Sequence, residues 1–140
     1  MTNKEATPGS VLFLCIENSS RSVMAEGFAK RSGLGASSAG TFPSSHVNSL
    51  VIDAMGEVGT DGSESKPKEL TSAMVDGADL VVLTDAGLEK AIPGGLWKKM
   101  RKKTVGWYLR DPQGKGIDEI RGIRDQIERL VQKLTTERRA

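Results

Sequence analysis

The stretch Val11-Leu12-Phe13-Leu14-Cys15-Ile16-Glu17-Asn18-Ser19-Ser20-Arg21-Ser22 decides the fold. Its first five residues are wholly apolar, as expected of a strand buried on both faces of a parallel sheet. Glu17 to Ser20 is a polar loop. From Arg21 a helical period takes over, with Val23, Met24, Phe28 and Ala29 able to share one side, and Gly33 to Gly35 ends it.

Outward from that unit the same alternation repeats. Ala36 to Ala39 reads as a short second strand, followed by a turn at Gly40-Thr41-Phe42-Pro43. Leu50 to Val58 reads as a helix capped by Asn48 or Ser49. Gly59 to Ser65 is rich in Gly, Ser and Asp and reads as a surface loop. Pro67, with Leu70 and Met74 behind it, predicts a short helix that starts at the proline. Leu80-Val81-Val82-Leu83 is a second buried strand, and Thr104 to Tyr108 a last one. Ile117, Ile120, Ile123, Ile127, Leu130, Val131 and Leu134 recur at spacings of three and four, the mark of a long helix packed on a sheet. Strands alternating with helices imply an α/β three-layer sandwich, with a doubly wound, four-stranded parallel sheet and helices on both faces.

With 140 residues the chain fits one domain, read here as residues 11–140 behind a polar, disordered tail of residues 1–10. A net charge of +2 gives no reason to expect nucleic acid as a partner. No apolar run reaches the roughly 20 residues of a membrane helix, and the start of the chain lacks a signal-peptide segment, so a cytoplasmic protein without a membrane partner is expected. Cys15 is the single cysteine. It permits no internal disulfide and no cysteine-only metal site, and no metal or other cofactor is expected.

In doubly wound folds ligands sit beyond the carboxyl ends of the strands. Cys15 ends the first strand, and Arg21 starts the helix six residues on. A loop of this length can curl so that successive backbone N–H groups point inward as an anion nest, and the helix start adds its own N–H groups and dipole. Arg21 supplies a planar fork for two oxyanion oxygens, which lysine cannot. The same donors favour a thiolate, placed beneath the anion for in-line attack. Alone, a cysteine ending an apolar strand is more often a packing residue. The polar loop and the helix behind it shift the reading to a nucleophile.

Cys15 to Ser22, then Met24-Ala25-Glu26-Gly27, resembles the low-molecular-weight protein tyrosine phosphatases and the related thioredoxin-coupled arsenate reductases. Ala39-Gly40-Thr41 is similar to their second-strand motif, and Asp111-Pro112 to their late acid loop. The resemblance spans about residues 11 to 134. It implies Cys15 as nucleophile, Arg21 as oxyanion clamp and Asp111 as general acid. Ile16, Glu17, Asn18, Ser19, Ser20 and Ser22 would form the substrate-binding loop. Ser22 would hydrogen-bond the thiolate, and Asn18 would hold the curl, since asparagine tolerates left-handed backbone.

Four departures qualify the resemblance. Glu17 stands where the phosphatases carry glycine, and its carboxylate must turn from the anion. Ser20 replaces a second cysteine, so no neighbouring thiol shields Cys15 from over-oxidation. Gln113-Gly114-Lys115 follows the Asp-Pro where aromatic walls would stand, and Phe42, Trp107 and Tyr108 read as core or rim residues. Leu83-Thr84-Asp85-Ala86-Gly87 lacks the thiols of a reductase relay. A cysteine-dependent phosphate monoester hydrolase therefore leads, acting on a phosphorylated protein or a small phosphate. Behind it come a single-cysteine arsenate reductase using an external thiol donor, and a non-catalytic phosphate-binding module. His46 reads as a solvated loop histidine, Trp97 as an anchor, and Lys98 to Lys103 as a solvated charged run.

Overall fold

The computed structural model describes residues 9–61 and 65–139. The expected tail falls mostly on residues 1–8, outside the described residues. Ser10, at its edge, already belongs to the first strand, where it pairs with Gly35.

Four strands, β1 (Ser10–Cys15), β2 (Gly35–Gly40), β3 (Leu80–Leu83) and β4 (Thr104–Gly106), form one parallel sheet in the order β2-β1-β3-β4. Helices α1 (Arg21–Arg31), α2 (Ser49–Glu57), α3 (Ser72–Gly77), α4 (Gly94–Met100) and α5 (Ile117–Arg139) connect and cover it. The apolar run of β1 feeds both layers by simple alternation. Val11 and Phe13 pack beneath α1, α2 and α5 with Met24, Phe28, Ile120, Ile123 and Ile127. Leu12 and Leu14 face α3 and α4 with Val75, Val81, Leu83 and Met100. Trp97 packs on this second layer as the anchor the sequence suggests.

Two elements differ from the sequence reading. Pro67 does not open a helix: residues near it run extended, because Gly40 donates to the Lys68 carbonyl (2.8 Å) and accepts from Leu70 N (2.9 Å). Helix α3 starts later, capped by Thr71, whose hydroxyl accepts from Met74 N. Helix α4 arises where the sequence shows only a basic run. Lys99 there reaches Ser72 and Asp76, and Lys103 donates to the Val75 and Ala78 carbonyls at the end of α3. Asn48 caps α2 as expected, accepting from Leu50 N.

The strand order reverses between β1 and β3. Loops leaving β1 and β3 diverge there and leave a crevice, the topological switch point of an open parallel sheet.

Candidate active site

Cys15 is the last residue of β1 and is buried. The loop behind it is turned inside out by its neighbour. The carbonyls of Cys15, Ile16, Glu17 and Ser19 accept from the amides of Thr41, Phe42, Ser44 and Asn48, at 2.8–3.3 Å. With the carbonyls committed outward, the amides face inward. Among the described residues, the N–H groups of Glu17, Ser19, Ser20 and Arg21 find no protein acceptor. Ser20, the N-cap of α1, makes no side-chain cap, so the helix start stays open as well. Gly40 permits the close approach: a Cβ there would lie 2.5 Å from the Ile16 oxygen and 3.0 Å from Asn18 N.

Asn18 takes the left-handed conformation expected of it, with φ of 52°. Its amide N–H donates to Cys15 Sγ (3.1 Å), and the Ser22 hydroxyl lies 2.9 Å from the same sulfur. Two polar groups thus converge on the sulfur from within the loop.

The Arg21 side chain is 7% exposed and held from three sides. Nη1 donates to the Leu109 carbonyl (3.1 Å) and the Thr84 carbonyl (3.4 Å), while Nη2 pairs with Asp85 Oδ1 at 2.5 Å. Nε is buried and has no hydrogen-bond partner among the described residues. A buried cationic N–H without an acceptor is costly, and an incoming oxyanion would supply one. Asp85 also accepts from Ile16 N (2.9 Å), so one carboxylate fixes both the clamp and the first loop amide.

Asp111 reaches the same cleft from the loop before α5. Its side chain is 65% exposed, lies 3.8 Å from Arg21 Nη2, and accepts from Gln113 N at 2.9 Å. The cleft holds about 430 Å³ between Cys15, Arg21 and Asp111, and its outer wall is polar, formed by Ser44, His46 and Gln113. Phe42, Trp107 and Tyr108 do not line it. Trp107 packs on Phe13 with ring centroids 5.6 Å apart, and Phe42 and Tyr108 are exposed.

All nine residues singled out from the sequence meet here, but not as one set of ligands. The amides of Ile16 and Asn18 are spent on Asp85 and Cys15 Sγ. Ser22 serves the sulfur, and Glu17, half-buried, lines the cleft. His46 is exposed as expected, yet stands at the cleft wall with Nδ1 2.9 Å from Ser45 Oγ. Asp85, Ser38 and Glu26 are not among the residues the sequence singles out. The signal pointing to Asp85 is its place just past the third strand, on the far lip of the switch point.

Comparison with known proteins matches the chain over nearly its whole length. A family model described as low molecular weight phosphotyrosine protein phosphatase matches residues 10–139. A glutaredoxin arsenate reductase of Synechocystis sp. is 34% identical over 127 residues, covering 89% of this chain and 94% of its own. A low molecular weight protein tyrosine phosphatase from T. tengcongensis superposes with a TM-score of 0.82 at 26% identity, covering 91% of this chain and 97% of that one. A YwlE mutant from Bacillus subtilis gives 0.80 at 27% identity, covering 91% and 96%.

Proposed function

The chain belongs to the low-molecular-weight phosphotyrosine protein phosphatase family, and on that premise we propose that it hydrolyses phosphate monoesters through a cysteinyl-phosphate on Cys15. The observation that carries this reading is the unpaired set of loop amides and Arg21 Nε gathered around a buried sulfur. Such a cup binds three oxygens of a tetrahedral anion and leaves its central atom facing the thiolate.

The cycle balances with the residues present. The Cys15 thiolate attacks phosphorus as the ester P–O bond breaks, and Asp111 gives its proton to the departing oxygen. Water then attacks the cysteinyl-phosphate, its proton passing to the Asp111 carboxylate while the P–S bond breaks. Ser22 and the Asn18 amide, both on Sγ, ease departure of the sulfur as a thiolate. Ser44, His46 and Gln113 make a wall without an aromatic face, which suits a hydrophilic phosphoester or phosphorylated side chain at least as well as an aryl ring. A lone catalytic thiol works in a reducing compartment, and the cytoplasm is the location this reading assigns.

A second reading is favoured by the 34% identity to an arsenate reductase. The Cys15 thiolate would attack arsenic and displace one arsenate oxygen as water, forming an S–As bond. An external thiol would then attack that sulfur, giving a mixed disulfide and arsenite. Cys15 is the only thiol in the chain, so the second thiol that the reduction consumes has no internal source. The separating assay uses p-nitrophenyl phosphate and arsenate, each with and without glutathione or a dithiol protein. Thiol-independent phosphate release, with acid-quenched phosphoprotein mapping to Cys15, supports hydrolysis. Arsenite formed only with thiol, and no aryl phosphate turnover, would replace it by reduction.

A further inference from the structure

The floor and the wall of the cleft carry opposite charge. At the floor, the loop amides and Arg21 Nε are open to an anion. On the wall stands Glu17, half-buried, its backbone carbonyl committed to Ser44 N at 3.0 Å. Among the described residues, the Glu17 carboxylate makes no hydrogen bond and no ion pair. The basic groups around it are already engaged. Arg21 is tied to Asp85 at 2.5 Å and to the Leu109 and Thr84 carbonyls, and His46 meets Ser45 Oγ through Nδ1. Lys68, which reaches Asn18 through its backbone, turns its ammonium to the Lys66 carbonyl at 3.4 Å. Asp111 adds a second carboxyl to the same wall.

Resting on the reading of the cleft as a phosphomonoesterase site, we infer that Glu17 determines specificity: it selects a phosphomonoester whose leaving group carries a cationic amine. The reason is a balance of charges. A carboxylate beside an anion-binding cup repels every incoming phosphate, and more strongly in a cleft partly closed to water than in bulk. A substrate that brings its own cation turns the same charge into attraction, while a neutral or acidic competitor still meets the repulsion. Asp111 cannot take this part. It must hold a proton for the departing oxygen, so the standing negative charge of the wall falls to Glu17. At about 430 Å³ the cleft has room for such a leaving group beside the phosphoryl group. The amine has two sources, a lysine side chain next to a phosphorylated residue in a protein, or a small amine-bearing phosphate.

The test compares p-aminomethylphenyl phosphate, which is cationic, with neutral p-hydroxymethylphenyl phosphate in the wild type and in E17Q. Glutamine keeps the shape of Glu17 and removes its charge, so the ratio of kcat/KM values in E17Q is the baseline set by the leaving groups alone. The wild-type ratio should exceed that baseline about five- to tenfold, mainly through KM, and fall toward it in molar salt. E17Q should also hydrolyse the neutral ester several-fold better than the wild type, because the repulsion is gone. Equal ratios in the two proteins, or a neutral ester hydrolysed worse by E17Q, overturns the assignment. Phosphotyrosine peptides with lysine or glutamine beside the phosphorylated residue tell the sources apart. An excess confined to the peptides assigns a protein side chain, and one confined to the small esters assigns a small amine-bearing phosphate. Calorimetric binding of the small esters to C15S and to C15S/E17Q keeps the two readings separate. A wild type that hydrolyses neither ester, while C15S prefers the cationic one and C15S/E17Q does not, overturns the phosphatase reading and upholds Glu17. Hydrolysis at equal ratios overturns Glu17 alone.

Discussion

The two halves of the site are built in opposite ways. The loop from Cys15 to Ser22 is gripped from outside by amides of residues 41–48 and from beneath by Asn18, whose three side-chain hydrogen bonds reach Ser22, Ser38 and Lys68. The segment that carries Asp111 makes a local turn. The carboxylate is two-thirds exposed, with hydrogen-bond support among the described residues only from Gln113 two residues on, and positive φ angles at Tyr108 (41°) and Gly114 (76°) bracket it. A preorganised cup holds an anion in fixed geometry without reorganising at the moment of reaction. An exposed acid can follow leaving groups of different shape. The contrast teaches that damage to the first half costs both fold and chemistry, while damage to the second costs chemistry alone.

The sharpest way to strip the first half of its chemistry without touching its shape is Cys15→Ser. A hydroxyl in the same cup is a far poorer nucleophile, and kcat should fall by on the order of 10⁴-fold or more while phosphate still binds. Steady-state hydrolysis and a phosphate titration read the two effects separately. Retained turnover in this variant would remove the sulfur from the mechanism. Next in size is Asp111→Ala on the other half. Loss of a placed general acid lowers kcat by about 10²–10⁴-fold, most for alkyl phosphates and least for p-nitrophenyl phosphate. Thermal unfolding should shift by no more than about 0.5 kcal/mol, as expected of an exposed position. A large loss of stability there would erase the distinction between the halves.

That distinction also explains which parts of the molecule can be read in advance. The nucleophile half is local in sequence: an apolar run, a polar loop and a helix start within twelve residues, so Cys15 and Arg21 show themselves, while Asn18 and Ser22 come from the family resemblance. Asp85 and Ser38 are brought in by sheet order, with β2 and β3 flanking β1, and no spacing along the chain encodes that adjacency. Pro67 misleads for a related reason. Its composition suits a helix start, but pairing of Gly40 with Lys68 and Leu70 holds the backbone extended. Helix α4 hides because Gly94 and Gly95 discourage a helix, and burial of Met100 with partial burial of Trp97 supplies what propensity does not.

Gly40→Ala tests whether the grip on the nucleophile loop is as tight as the geometry states. The new Cβ meets backbone at 2.5 Å, so the loop rather than a flexible side chain must yield. Overpacking of this kind costs about 1–3 kcal/mol. Displacing the cup by a fraction of an ångström should lower kcat/KM by up to about 10²-fold. Calorimetry together with kinetics checks both. An alanine tolerated in both would mean that the amides of residues 41–48 do not hold the cup.

The smallest effect is expected far from either loop, where α2 meets α5. Glu57 there faces Arg121 at 2.6 Å and Arg124 at 2.8 Å, and those guanidinium hydrogen bonds pull its carboxyl from the ordinary 4.5 to about 2. A carboxyl whose folded value lies below its unfolded one adds stability that is fully present above about 4.5 and is lost as pH falls toward about 2. Glu57→Gln should therefore lower the melting temperature slightly at neutral pH, flatten its fall across that acid window, and leave the two proteins indistinguishable near its lower end. Because Glu57 and Arg121 are both partly open to water, the difference should shrink further in molar salt. Activity at neutral pH should not change, since neither residue touches the cleft. A variant that lost turnover along with this small stability would show that α2 and α5 steer the catalytic loops, and the separation drawn between scaffold and site would have to move outward to include them.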